Sequence, residues 1–138
     1  MIRLHTVLAA IAAVFLLGQP LAAQQLSALA KLNPAESGIR DAGTGLAVTL
    51  SLSQPVPWRL RLLDAPPRLV LDFREVDWTG LANMPVQSEA LMGLRAGVFR
   101  PGWSRLVLEL GGPMRVASAE MATTGGALVN LRLDPAPQ

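Results

Sequence analysis

From Gly38 onward, apolar and polar positions alternate with a period of two, the mark of strands with one dry face and one wet face. Leu46, Val48, Leu50 and Leu52 alternate with Ala47, Thr49, Ser51 and Ser53. Pro55 and Pro57 end this run, because proline cannot donate to a strand ladder. Trp58, Leu60 and Leu62 then alternate with Arg59 and Arg61, which places Trp58 in phase with the core positions. Asp64-Ala65-Pro66-Pro67 is a turn, and Leu69, Leu71 and Phe73 line the inner side of the next strand, so the two strands form a hairpin. Residues 75–93 are looser, and their length predicts a short strand or helical turn inside them. A strand at 94–99, a turn at Arg100-Pro101-Gly102-Trp103 and a strand carrying Leu106, Leu108 and Leu110 follow. Beyond Gly111-Gly112-Pro113, residues 114–121 and 127–133 make a last hairpin around Thr123-Thr124-Gly125-Gly126. Short strands at this spacing, with Gly- and Pro-rich turns, predict an all-β protein: a β-sandwich of two packed sheets with pseudo-repeated hairpins.

The pseudo-repeat is visible as RLVLDF at 68–73 and RLVLEL at 105–110. Each hexamer is the second strand of a hairpin whose first strand carries an arginine, Arg61 in one and Arg95 in the other. The expectation is that each half supplies one sheet and that the two leucine faces pack together. Arg68 and Asp72, like Arg105 and Glu109, then fall on the wet faces and pair with neighbouring charges.

The ends of the chain read differently. Arg3 and His5 precede an apolar run at 7–17, and small Ala22 and Ala23 precede Gln24. That run is shorter than the ~20 apolar residues of a membrane-spanning helix, so residues 1–23 are expected to be a cleaved export signal, with an uncleaved anchor as the alternative. Residues 24–37 read as a flexible leader, or else as a short helical turn stopped at Asn33-Pro34. Residues 134–138, rich in proline, read as the start of a linker.

Composition changes the picture in two places. The chain has no cysteine, so an exported domain must hold together by burial without disulfides. The pI near 10.4 reflects arginines rather than a large charge excess. The chain has 12 basic and 10 acidic residues, and removing Arg3 with the signal leaves eleven against ten. Lys31 is the sole lysine. No basic block or stripe is visible along the sequence, which argues against nucleic acid as a partner.

PPRLVLDF followed some way on by LRAGVFRPGWSRLVLEL resembles the AMIN domain, a β-sandwich module of envelope proteins. It is found at the N-terminus of periplasmic N-acetylmuramoyl-L-alanine amidases and in type IV pilus secretins. The resemblance covers residues 38–133, and the Arg-x-Gly-x-Phe-x-Pro-Gly shape of the second motif is its more specific part. It implies a periplasmic, non-catalytic module that binds peptidoglycan and targets an amidase to the cell wall, often at the division site. The alternative it leaves open is an assembly module of the secretin kind, with envelope or divisome proteins as partners. Family amidases hold zinc in a separate C-terminal domain. The expectation is a fragment or truncated form without that domain, or else a stand-alone module, hence no cofactor and membrane contact only through the uncleaved signal during export.

The residues support no catalytic site of their own. The one histidine, His5, lies in the expected signal, leaving no imidazole for a three-ligand zinc site. The carboxylates Asp64, Asp72, Glu75, Asp77 and Glu109 show no spacing that selects an acid/base pair, and Ser51, Ser53 and Ser104 lack a histidine base. The candidate binding residues are Arg59, Arg61, Arg95, Arg100 and Trp103. Guanidinium groups suit carboxylates through paired hydrogen bonds, and an indole offers a flat apolar surface to a sugar ring.

Overall fold

The computed structural model describes residues 29–137, so the expected export signal and residues 24–28 of the expected leader lie outside it. The described residues form eleven strands and two short 3-10 turns: β1 (Ala30–Lys31), β2 (Gly38–Ala42), β3 (Gly45–Leu52), β4 (Trp58–Leu63), β5 (Arg68–Arg74), β6 (Val76–Asp77), β7 (Val86–Gln87), β8 (Leu91–Arg100), β9 (Trp103–Leu110), β10 (Met114–Ala122) and β11 (Ala127–Pro135), with turns at Pro34–Glu36 and Thr79–Asn83. A five-stranded sheet runs β10-β11-β3-β2-β7, and a four-stranded sheet runs β4-β5-β9-β8. The fold is an all-β sandwich.

Period-two alternation decides which side chains meet between the sheets. From β3 come Leu46, Val48, Leu50 and Leu52, and from β11 Val129, Leu131 and Leu133; opposite them stand Leu69, Leu71 and Phe73 of β5 and Leu106, Leu108 and Leu110 of β9. Phe73 is fully buried between two indoles, stacked on Trp58 at 6.0 Å and meeting Trp78 edge-on at 5.3 Å. The Trp78 N–H donates to the buried Ser104 hydroxyl at 2.9 Å, so the indole's polar group is satisfied as it enters the core. Trp58 belongs to the core edge, as its phase with Leu60 and Leu62 requires. At the tight turn between β2 and β3, Gly45 permits a close approach: a Cβ there would run into the Leu133 carbonyl of β11.

The two hexamers do not supply separate sheets. They are β5 and β9, central and antiparallel neighbours in one sheet, in register around Val70 and Val107. The reason lies in their shared polarity. Aligning two Arg-x-x-x-acid strands antiparallel sets the arginine of each against the acid of the other, Arg68 opposite Glu109 and Arg105 opposite Asp72. Arg105 pairs with Asp72 across the ladder and stabilises it, while Arg68 turns to the Asp64 and Pro66 carbonyls and Glu109 to Arg95. Each hexamer does close a hairpin, β4–β5 and β8–β9.

The boundaries also move outward. Residues 30–37, expected within the leader, are part of the packed domain. Ala30 and Leu32 are buried, β1 pairs in parallel with β6, and Leu32 bridges to Leu52. Asn33-Pro34 opens a 3-10 turn instead of stopping a helix: the Asn33 side chain accepts from the Ala35 N–H, and proline occupies the first turn, where a missing donor costs little. At the other end, Asp134 and Pro135 continue β11 against Arg115 and Met114 rather than opening a linker. Asp134 meets both Arg115 and Arg132. Residues 75–93 contain β6, a 3-10 turn and β7, in keeping with the short elements their length predicted. The strand at Gly38–Ala42 was not singled out by the pattern.

Candidate functional site

The outer face of the four-stranded sheet collects the arginines. Cross-strand registers arrange it in rows. Arg61, Val70, Val107 and Arg95 form one row; Arg59, Asp72, Arg105 and Gly97 form the next; and Arg74, Trp103 and Arg100 form a third across β5, β9 and β8. All five residues expected to bind, Arg59, Arg61, Arg95, Arg100 and Trp103, therefore share one face. They are not equally close. Arg61 and Arg95 occupy opposite edge strands, and three strand spacings put their backbones roughly 14 Å apart. Arg59 and Arg100 converge on Trp103, with their guanidinium carbons 5.9 and 5.3 Å from its ring centre.

Sequence reasoning missed Arg74, Phe99 and the linking role of Asp72 and Arg105. Arg74 stands 5.8 Å from the centre of the same Trp103 ring. Its position two residues after Asp72 was the available signal, since period two puts both on one face. Phe99 reaches the face through a register shift in β8 between Val98 and Arg100, which lets Phe99 and Arg100 point outward in succession. The Arg105 guanidinium then covers the Phe99 ring at 4.1 Å. With Arg68, the face carries seven arginines against two carboxylates, Asp72 and Glu109. A basic stripe therefore exists after all, contrary to the expectation from the linear sequence, because its members come from four different strands.

Asp72 ties the centre together. Its side chain is only 1% exposed and lies between two arginines, accepting from Arg59 Nε at 3.1 Å and from Arg105 Nε at 2.8 Å and Nη2 at 3.2 Å. The Arg105 hydrogen bonds, more than those of Arg59, hold its carboxyl below the usual range against the opposing effect of burial. Asp72 in turn pushes the Arg105 guanidinium upward. Glu109 meets Arg95 more loosely, at 3.7 Å. Arg61, Arg74 and Arg100 form no ion pair among the described residues. Beside Arg105, Gly97 has no side chain, and a shallow open depression of about 220 Å³ lies there between Arg95, Phe99 and Val107.

Such a face is suited to hold planar anions against aromatic surface. It offers unpaired guanidinium forks for carboxylates or phosphates and two aromatic rings for sugar or apolar groups. Among the described residues, no three His, Cys, Asp or Glu side chains converge as a metal site would require, and no helix is long and apolar enough to cross a membrane. No family model and no curated protein matches this chain.

Proposed function

We propose that this chain is a non-catalytic peptidoglycan-binding and targeting module of the AMIN kind, acting in the periplasm as part of an N-acetylmuramoyl-L-alanine amidase whose zinc hydrolase domain is separate. One observation carries the reading: the arginines and the exposed side of Trp103 gather on one sheet face, and four of those arginines, Arg61, Arg68, Arg74 and Arg100, form no ion pair among the described residues. Peptidoglycan combines carboxylate-bearing peptides with sugar rings, the two chemistries this face matches. The motif resemblance and the expected export signal point to the same compartment. The assembly-module reading draws on a different feature, the open edge strand β8, whose ten residues leave Met92 and Val98 exposed and could accept a partner strand.

Sedimentation with purified sacculi tests the proposal. Wild-type protein is expected to pellet with the sacculi and to release no stem peptide from them. The Arg61→Ala/Arg95→Ala variant should bind roughly ten-fold more weakly, as expected for losing two charged contacts, with an unchanged circular dichroism spectrum. Retention should fall as salt rises, since exposed charges are screened. Equal retention of variant and wild type would remove Arg61 and Arg95 from the contact, and a wild type that stays in the supernatant would remove the wall reading.

A further inference from the structure

We infer that the row Arg74–Trp103–Arg100 is a carboxylate subsite that takes the free carboxylates of the wall's stem peptides; this rests on the wall-binding reading above and specifies it. Three guanidinium groups approach one indole, those of Arg59, Arg74 and Arg100 at 5.9, 5.8 and 5.3 Å from its centre. Cation–π attraction holds each one there and leaves the hydrogen-bonding edges of Arg74 and Arg100 unused. Arg59 spends its Nε on Asp72, whereas Arg74 and Arg100 pair with no carboxylate among the described residues. Glu75 lies beside the turn, held by its N–H to the Gly102 carbonyl at 3.0 Å, yet its carboxylate forms no ion pair with either arginine. Arg74 and Arg100, with no carboxylate in ion-pair range among the described residues, repel one another, and an incoming anion relieves that repulsion.

The arrangement favours a carboxylate. Two planar forks flank a flat apolar ring, so a two-oxygen anion can pair with a fork while the carbon chain that carries it lies along the indole. The turn between β8 and β9 fixes this geometry, because Gly102 adopts a φ of 78° that brings Trp103 back opposite Arg100.

Calorimetric titration of the purified protein with four probes tests the subsite: a wall tetrapeptide with free carboxylates, the same peptide with its carboxylates amidated, a peptide-free wall disaccharide, and vesicles of anionic phospholipid. The free peptide should bind, and amidation should weaken it roughly ten-fold or more, the scale of losing a charge-assisted pair. The Arg74→Gln/Arg100→Gln variant should lose the same factor. Arg74→Lys/Arg100→Lys, which keeps charge without the fork, should fall between. Both pairs are exposed, and circular dichroism checks that the variants stay folded. Free and amidated peptides that bind alike, or a glutamine variant that binds the free peptide as wild type does, would overturn the subsite. So would binding to the vesicles alone. If sacculi still retain the wild type in those cases, only the subsite fails and the wall reading stands.

Discussion

Replacing Phe73 with alanine is expected to destabilise the domain by about 3–5 kcal/mol, the range for deleting a fully buried aromatic side chain. Phe73 has no exposed surface and fills the space between Trp58 and Trp78. Removing its ring takes away both aromatic contacts and opens a cavity that strands β5 and β9 cannot close without breaking their ladder. Small domains have a net stability of roughly 5–15 kcal/mol, so the variant should unfold at far lower urea concentration than wild type. Phe73→Leu should recover most of the loss by refilling the volume. A urea midpoint shift below that of an ordinary surface substitution, about 0.5 kcal/mol or less, would place Phe73 outside the core.

The second large effect is expected at Asp72. Asp72→Ala removes an almost fully buried carboxylate and strands Arg59 and Arg105 beside each other. Breaking a buried ion pair can cost about 3–5 kcal/mol, but both arginines reach solvent, so about 2–3 kcal/mol is expected here. The pH dependence has a definite sign. The folded carboxyl titrates below its ordinary value, chiefly through the Arg105 hydrogen bonds, so below about pH 4 the unfolded chain binds the proton more readily than the native state. The stabilisation is complete above that pH and is lost as pH falls through the folded value. Wild type should therefore lose stability in acid more steeply than Asp72→Asn, whose amide does not titrate. Parallel acid limbs in the two proteins would remove Asp72 from the centre of the ion-pair network.

The two effects lie on opposite sides of one sheet, and the sequence made those sides unequally legible. The inner side was readable because alternation is local: Leu46 to Leu52 and Leu69 to Phe73 declare their faces within eight residues, and the structure keeps every one of those phases. Partnership between strands was not readable. Nothing local distinguishes RLVLDF and RLVLEL as facing sheets from RLVLDF and RLVLEL as antiparallel neighbours, and the charge pairing that decides it appears only once Arg105 is set against Asp72. The same non-locality hid Ala30 and Leu32, whose partners Val76 and Leu52 are far along the chain. For the candidate site, Arg59 and Arg61 could be placed on a common face from their spacing alone. Joining them to Arg74, Arg95 and Arg100 required the strand order β4-β5-β9-β8. A shift of register in β8 brought Phe99 outward, and alternation alone does not foretell such a shift.

If the wall polymer binds the outer face of this sheet, as proposed, the three tryptophans of the protein report on it. Trp103 lies among the outer arginines, whereas Trp58 and Trp78 pack against Phe73 on the inner side, with the Trp78 N–H held by Ser104. Soluble muropeptides titrated into isotope-labelled protein can be followed through the indole and arginine Nε signals. The Trp103 indole and the Arg61, Arg74, Arg95 and Arg100 signals should shift together while the Trp78 indole stays fixed. An unmoved Trp103 alongside shifts in Arg40, Arg115 or Arg132 on the other sheet would contradict the proposal.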